Sequence, residues 1–392
     1  MTSEGPAAPP FGVYIHVPFC ATRCGYCDFN TYTPGELGTA AGPDSYLDAL
    51  EEELRLGRAE VGDRPAETVF IGGGTPSLLG AEGLARILDA IRSTFGLAPG
   101  AEVTTESNPE STSPAFFAGL REAGYTRISL GMQSVSPHVL QVLQRRHTPG
   151  RALAAAREAR EAGFAHVNLD VIYGTPGERD EDVVETIEAA LAAGVDHVSA
   201  YSLILEDGTA MARKVRRGEL PAPDPDVQAD RYGIIDGLLS DAGFRWYEVS
   251  NWALPGGECR HNLIYWTDGD WWGAGPGAHS HVGGRRFANV KHPARYAREL
   301  GEGRLPIAMS EELSAEDRHT ERIMLGLRLR QGVAESQLSP AAAGVIEPYE
   351  QRGLLRREGG RIRVSGEGRL LADGIIADLL LAEEGRVCQN GA

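Results

Sequence analysis

The chain has 392 residues, of which 42% are hydrophobic and 24% charged, a composition with enough apolar material for a large folded core. It contains no run of about 18 uncharged apolar residues, and its Pro-rich N-terminus lacks the basic and apolar regions of a signal peptide. We therefore expect a cytoplasmic protein without a transmembrane segment. The 38 basic and 55 acidic residues give a net charge of −17, which argues against a nucleic-acid partner.

The N-terminal half repeats a short β-rich segment followed by an amphipathic helix. The predicted strands cover residues 13–17, 68–71, 102–105, 127–130, 166–172 and 197–203. Most of them are almost continuously apolar or β-branched, as expected of strands buried on both faces. This alternation predicts a parallel sheet with right-handed crossovers. It favours an α/β fold with a full or partial (β/α) TIM-type barrel over an open doubly wound sheet.

The pattern weakens after about residue 205, and this change suggests a division of the chain. We expect a flexible N-terminus at 1–10, a barrel core at 11–245, a Gly-, Trp- and His-rich extension at 246–309 and a small, mainly helical C-terminal domain at 310–385. Within the last part, the patterning predicts a helix over 321–330 and a short strand over 360–364.

Three cysteines follow the first predicted strand, as Cys20-x3-Cys24-x2-Cys27. In a (β/α) barrel, chemistry belongs on the loops at the carboxyl ends of the strands. Three thiolates on so short a loop can converge on one soft metal centre. A zinc site completed by a remote ligand and three unrelated thiols are the alternatives.

In this position the cysteine spacing resembles that of the radical S-adenosylmethionine (SAM) superfamily. The resemblance implies a 4Fe–4S cluster held by the three cysteines, with its fourth iron open to SAM, which the superfamily cleaves to a 5′-deoxyadenosyl radical. The Gly-Gly-Gly-Thr-Pro run at 72–76 resembles the segment that holds the methionine part of SAM, although alone it would indicate a tight turn. Asp170 lies inside an apolar strand, where a charge needs a partner.

Further motifs are narrower than the superfamily. Tyr-Ile-His-Val-Pro-Phe-Cys at 14–20, Gly-Met-Gln-Ser at 131–134 and Asp-Val-Ile-Tyr-Gly at 170–174 resemble the oxygen-independent coproporphyrinogen III oxidase (HemN) family, which includes the heme-chaperone branch, HemW. Residues 322–330 resemble part of that family's small C-terminal domain. The resemblance assigns Tyr14, Gly73 and Glu106 to the cluster-bound SAM, and Gly74, Thr75, Gln133, Arg145 and Asp170 to a second SAM.

Phe29 separates the two branches of this family. The oxidases continue their cluster motif with Cys-x-Cys, whereas here Cys27 is followed by Asp28 and Phe29. The absence of that extra cysteine matches the heme-chaperone branch and argues against oxidative decarboxylation of coproporphyrinogen.

A second feature is the sequence His-Asn-Leu-Ile-Tyr-Trp at 261–266, which matches the His-Asn-x-x-Tyr-Trp motif associated with heme binding in that branch. An imidazole can ligate heme iron, and the two aromatic residues could pack against a porphyrin face. We therefore expect His261 to bind heme. Cys259, His279 and His281 are rival ligands, and a plain loop histidine is the alternative.

Together these features favour a heme chaperone that carries a 4Fe–4S cluster with SAM and transfers heme to a recipient hemoprotein. The recipient could be membrane-associated, in which case the chain would contact the membrane peripherally, through its partner. The alternatives are an oxygen-independent coproporphyrinogen III dehydrogenase, another radical SAM enzyme with a different substrate, and a nonenzymatic zinc-binding barrel.

Overall fold

The computed structural model describes residues 9–37, 42–146 and 148–390. The predicted flexible N-terminus therefore lies almost entirely outside the described residues. No helix within these ranges is long and apolar enough to cross a membrane.

Strands and helices alternate through the first half, as predicted. The strands are β1 (Phe11–Val17), β2 (Ala66–Gly73), β3 (Leu97–Ser107), β4 (Arg127–Gln133), β5 (His166–Tyr173) and β6 (His197–Ser202). The helices up to residue 241 are α1 (Pro34–Leu37), α2 (Pro43–Val61), α3 (Gly80–Thr94), α4 (Pro114–Ala123), α5 (Pro137–Val142), α6 (Arg151–Glu161), α7 (Asp180–Ala192), α8 (Ala210–Arg216) and α9 (Pro225–Asp241). Each of β1 to β5 pairs in parallel with the next strand.

The chain after residue 244 extends this sheet at both edges. It forms β7 (Arg245–Glu248), β8 (Asn251–Ala253), α10 (Arg260–Trp266), β9 (Asp270–Ala274), β10 (His279–Val282), β11 (Arg285–Asn289), α11 (Pro293–Gly301) and β12 (Ile307–Glu312). The strand order is β12-β11-β10-β9-β1-β2-β3-β4-β5-β6-β8-β7. Among the described strands, β7 and β12 do not pair, so the sheet is a partial barrel, as predicted.

The Gly- and Trp-rich extension is therefore largely sheet. Strand β9 pairs in parallel with β1, and its Trp272 is fully buried. The indole lies against Gly57 of α2, where a Cβ atom would come within 2.5 Å of the ring. A glycine inside a helix is unfavourable by up to about 1 kcal/mol, and here it allows α2 to approach β9 closely.

Helix α10 closes the amino-terminal end of the barrel. The amides of Arg260 and His261 donate to the carboxylate of Glu102, and Arg127 binds the carbonyl oxygens of residues 257 and 258. Glu102 is paired with Thr68 near the start of β2, and Arg127 is the first residue of β4. The cysteine loop, by contrast, follows the carboxyl end of β1. The two predicted functional motifs consequently lie at opposite ends of the barrel.

The C-terminal part has a core of its own. Its elements are α12 (Ala315–Gly326), β13 (Val333–Ala334), α13 (Ala343–Gln351), β14 (Leu355–Glu358), β15 (Arg361–Val364) and α14 (Ala372–Asn390). The predicted domain boundary at residue 310 falls inside β12, which pairs with β11, so a division after β12 fits the pairing better.

The predicted helix over 321–330 was wrong at both ends, since α12 spans Ala315–Gly326. Helix α12 ends at Gly326, and Val333 packs against this glycine. A Cβ atom added to Gly326 would lie 2.6 Å from a methyl group of Val333. Beyond this point Leu329 forms a β-bridge with Glu248, and the amide of Arg330 donates to the carbonyl of Tyr247. Contacts to the barrel therefore end the helix earlier than the local pattern indicates.

A buried carboxylate holds three segments of the barrel together. Glu53 of α2 accepts hydrogen bonds from the Gly275 amide at 2.8 Å, the Asn289 side chain at 2.6 Å and the Tyr296 hydroxyl at 2.5 Å. Burial raises the pKa of Glu53 from 4.5 to about 7. Between about pH 4.5 and 7 the folded chain therefore retains a proton that the unfolded chain releases.

We expect the Glu53→Gln variant to lose part of the pH dependence of stability. Between about pH 4.5 and 7 the contribution of Glu53 to the free energy of unfolding should fall as pH rises, by up to about 3 kcal/mol for a 2.5-unit shift. Urea unfolding of wild type and variant at several pH values measures the difference in slope. Glu60→Gln, at an exposed position of the same helix, is the control that keeps the wild-type slope. An unchanged slope in Glu53→Gln would contradict this account.

Candidate functional site

Most of the predicted cofactor residues line one cavity at the carboxyl ends of the parallel strands. This upper cavity has a volume of about 420 Å³. Its lining includes ten of the predicted residues, namely Cys20, Cys24, Cys27, Gly73, Gly74, Thr75, Glu106, Gln133, Arg145 and Asp170. Tyr14 and His261 line a different, lower cavity of about 220 Å³, deeper in the barrel. Glu106, Asp170 and Tyr201 line both cavities and so lie between them.

Backbone hydrogen bonds fix the cysteine loop at its base and its tip. At the base, the Cys20 amide donates to the Tyr32 carbonyl and the Tyr32 amide to the Pro18 carbonyl, at 3.0 and 2.7 Å. At the tip, the Gly25 amide donates to the Leu143 carbonyl, and the Met211 amide donates to the Gly25 carbonyl. These hydrogen bonds hold both the base and the tip of the loop.

The three thiols suit a cluster that supplies its own positive charge. Burial raises the pKa of Cys20, and it raises that of Cys27 to about 11, so bound iron would be needed to stabilise the thiolates. Arg145 Nη1 lies 3.4 Å from Cys24 Sγ and Thr75 Oγ1 lies 3.7 Å from Cys20 Sγ. Both are donors that favour a charged sulfur.

A single metal ion fits the site less well. In the described part of the chain, no three His, Cys, Asp or Glu side chains are grouped so that they could hold one ion. In a 4Fe–4S cluster each cysteine binds a different iron, so such convergence is not required. The zinc alternative thus gains no support from the geometry.

The glycine run packs against the base of the cysteine loop. A Cβ atom on Gly74 would lie 2.4 Å from the Phe19 carbonyl oxygen, and one on Gly73 would lie 2.7 Å from the His16 ring. Gly73 also has a positive φ of 106°. The amide of Thr75 donates to the Phe19 carbonyl at 2.7 Å. Glycine is required here because the backbone of β2 approaches that of the cysteine loop so closely.

Two buried carboxyl groups face each other across the site. Glu106 accepts a hydrogen bond from the Gly73 amide at 3.0 Å, and burial, with the nearby Asp170, raises its pKa to about 8. Burial likewise raises the pKa of Asp170 to about 6. Its partners are Ser129 Oγ at 3.1 Å and Asn168 Nδ2 at 2.7 Å. The charge inside an apolar strand thus has the partners that it requires.

The side chains of Gln133 and Arg145 both lie beside Gly131, near the carboxyl end of β4. Gln133 has a φ of 64°, unusual for a residue other than glycine, and its side chain lies beside Gly131, as does the guanidinium of Arg145. Gly131 leaves room for both, since a Cβ atom there would lie 2.8 Å from Arg145 Nη2. The arrangement brings an amide and a cation to the wall of the upper cavity.

Tyr14 lies lower, under the glycine run. Its hydroxyl is 3.1 Å from His16 Nδ1, while His16 Nε2 is 2.9 Å from the Asn30 carbonyl oxygen. Burial raises the pKa of Tyr14. Its assignment to SAM stays a prediction from the motif.

The structure buries the predicted heme ligand, His261, completely. Its Nδ1 is 2.7 Å from Thr68 Oγ1, its Nε2 is 2.7 Å from the Tyr265 hydroxyl, and its ring stacks on Phe70. Burial lowers the pKa of His261 to about 4, so the ring is neutral. An iron ligand needs a nitrogen lone pair directed at the metal, and both nitrogens are engaged. Heme ligation by His261 would therefore require one of these contacts to break, and its assignment to heme stays a prediction from the motif.

The rival ligands are dispersed. Cys259 is buried, with Sγ 3.4 Å from the Glu102 carboxylate, and burial raises its pKa. His281 is also buried and its Nδ1 lies 2.9 Å from the Gly269 carbonyl oxygen, whereas His279 on β10 is exposed. The three do not form a common site with His261.

Asn30 is a residue that the sequence analysis missed. Its side-chain amide donates to the carbonyls of Pro276 and Lys291, both at 2.9 Å, and its Oδ1 accepts a hydrogen bond from the Tyr32 hydroxyl. These bonds attach the cysteine loop to a turn some 246 positions away in the chain. The only signal in the sequence is a polar residue three positions after Cys27.

Known proteins match both the domains and the whole chain. Residues 14–190 match the radical SAM superfamily and residues 313–371 the HemN C-terminal domain. The chain is 60% identical over 371 residues to the heme chaperone HemW of Mycobacterium tuberculosis (strain ATCC 25618 / H37Rv), covering 95% of each chain. It is 32% identical over 378 residues to the heme chaperone HemW of Bacillus subtilis (strain 168), covering 94% of this chain and 98% of the relative.

A solved structure supports the fold. Coproporphyrinogen III oxidase (HemN) from Escherichia coli superposes with a TM-score of 0.81 at 24% identity, covering 94% of this chain and 90% of that one. The cysteine loop and the matched domain define a radical SAM protein, whose cofactors are a 4Fe–4S cluster and SAM. Within that superfamily, the chain belongs to the HemW family.

We expect Cys24→Ser to lose the cluster, because a serine hydroxyl is a poor replacement for an iron-ligating thiolate. After anaerobic reconstitution, iron and sulfide per chain and the iron–sulfur absorption should fall to a small fraction of the wild-type values. Cys259→Ser removes a buried thiol at the other end of the barrel and should leave both unchanged. Equal losses in the two variants would contradict this assignment.

We expect Asn30→Ala to bind the cluster less stably although it removes no ligand. Without the two hydrogen bonds to residues 276 and 291, the loop is less restrained and the cluster should be lost several-fold faster to an iron chelator. Lys291→Ala is the matched control, since only the backbone carbonyl of this exposed residue contacts Asn30. Loss rates equal to wild type in Asn30→Ala would show that the tether is dispensable.

Proposed function

We propose that this chain is a heme chaperone, which binds heme and transfers it to a recipient hemoprotein. The observation that carries the proposal is the 60% identity, over 95% of both chains, to a protein named heme chaperone HemW. Phe29 supports it, because the cysteine that extends the oxidase motif is replaced here by an exposed aromatic ring.

The upper cavity would hold the cofactors of the radical SAM domain. Cys20, Cys24 and Cys27 would bind the cluster, which when bound supplies an electron to SAM. The amides of the glycine run and the carboxyl group of Glu106 would orient the SAM beside it. Five further residues of this cavity would bind a second SAM or the rest of the first one. They are Gly74, Thr75, Gln133, Arg145 and Asp170.

The proposed recipient is a membrane-associated hemoprotein, and the proposed location of the chain is the cytoplasm. The net charge of −17 disfavours direct binding to an anionic membrane surface. We therefore propose that any membrane contact is peripheral and is made through the recipient.

A transfer experiment tests this function. Cluster-loaded protein should bind one hemin per chain and pass it to the apo form of a membrane-bound b-type cytochrome faster than it releases hemin to apomyoglobin, which captures only dissociated heme. Absorbance spectra distinguish the three heme proteins. Failure to bind hemin, or equal rates to both acceptors, would reject the chaperone function.

A parallel turnover assay tests the oxidase alternative. The reconstituted protein with SAM, a reductant and coproporphyrinogen III should form no protoporphyrinogen, while an authentic oxygen-independent oxidase does so under the same conditions. Product formation would instead make the chain an enzyme of that type despite Phe29.

A further inference from the structure

The lower cavity is unsuited to heme. Pockets for ligands of drug size have volumes of about 300–1,000 Å³, whereas the lower cavity has about 220 Å³. It is closed on one side by α10, whose His261 is fully buried. The upper cavity is larger, at about 420 Å³, but its interior is assigned to the cluster and SAM, so a further ligand at this end would have to lie across its mouth.

The upper cavity also has an apolar mouth. Phe29 and Ile204 line it, with 59% and 64% of their surfaces exposed. We call these two residues the mouth patch. Large hydrophobic side chains grouped around a cavity and left exposed usually mark a binding surface. Covering them would contribute about 25 cal/mol for each Å² removed from water.

The backbone holds the mouth patch in place. Next to Ile204, the Leu203 amide donates to the Tyr173 carbonyl and the Leu203 carbonyl accepts from Gln228 Nε2, both at 2.8 Å. Because the Leu203 side chain is buried, the side chain of the next residue, Ile204, lies outside the core. On the other side, the Phe29 carbonyl accepts from the Thr31 amide at 2.7 Å, beside the Asn30 tether. The exposure of Phe29 and Ile204 is thus set by their neighbours.

Cations stand beside this apolar surface. Arg23 and Arg146 are exposed and line the same cavity. Arg23 donates to the Thr31 carbonyl and forms an exposed ion pair with Glu36 at 3.3 Å. An exposed ion pair contributes little, so a ligand carboxylate can replace Glu36. Asp28 and Glu206 also line the cavity, so its rim carries both signs of charge. An amphipathic ligand with an apolar face and an anionic edge matches this combination.

We propose that heme binds across the mouth of the upper cavity, with its macrocycle on the mouth patch and its propionates directed to Arg23 and Arg146. The proposal rests on the proposed heme-chaperone function and assigns its cargo to the end of the barrel opposite His261. Heme in this position would cover the cavity that contains the cysteine loop. Heme and SAM would therefore influence each other's binding and release reciprocally.

A hemin titration of the full-length, cluster-loaded protein tests the site. Phe29→Ser combined with Ile204→Ser should weaken hemin binding at least tenfold, without changing the iron–sulfur absorption or the melting temperature. Leu381→Ser is the matched control, because Leu381 is 65% exposed on α14. His261→Gln, which keeps hydrogen-bonding groups but removes the imidazole, should bind hemin with wild-type affinity and spectrum.

A modified hemin tests whether the propionates contribute to binding. Hemin dimethyl ester, which lacks the propionate charges, should bind wild type more weakly than hemin does, and this difference should shrink in the Arg23→Gln, Arg146→Gln double variant. Wild-type affinity in the Phe29, Ile204 double variant, or an equal loss in Leu381→Ser, would overturn the mouth site. A large loss of hemin affinity confined to His261→Gln would instead place the heme at His261. Absence of hemin binding by wild type would reject the proposed function, and the site with it.

Discussion

The position of the cysteine loop depends on a hydrogen-bonded connection that begins at Glu53. Its carboxyl group fixes the Gly275 amide, and the adjacent Pro276 carbonyl accepts a hydrogen bond from Asn30, three residues beyond Cys27. Helix α2, the turn after β9 and the cysteine loop are thereby fixed relative to one another. A short loop with three metal ligands has many conformations of its own, and these contacts restrict them.

The same connection explains why the sheet extends beyond the six strands that alternate with helices. Strand β9 must lie beside β1 to bring the Gly275 turn over the start of the cysteine loop. Gly57 and Trp272 secure this strand from the helical side, because the indole fills the space that a side chain on α2 would occupy. The C-terminal half of the chain thus contributes to the metal site without supplying a ligand.

Local sequence patterns predicted the parallel strands and the cavity at their carboxyl ends well, since strand burial and helix termination depend on neighbouring residues. The ten predicted cofactor residues that line the upper cavity came from the resemblance of their motifs to the radical SAM and HemN families. Asn30 and strand β9 were missed because their partners lie more than 240 positions away. The end of α12 was misplaced for a similar reason, since contacts with the barrel determine it.

His261 illustrates a different limit. Its motif was interpreted from its resemblance to a heme-associated motif and from the chemistry of an imidazole beside two aromatic residues. The structure adds the position of this motif, at the amino-terminal end of the parallel strands, where such folds usually build stability. There His261 contacts Glu102, Thr68 and Tyr265, and its assignment to heme stays a prediction. Glu106 and Asp170 lie between this end of the barrel and an open rim that carries apolar and cationic residues. A cargo that must be released is better held at the open end, because leaving it requires no part of the barrel to unfold.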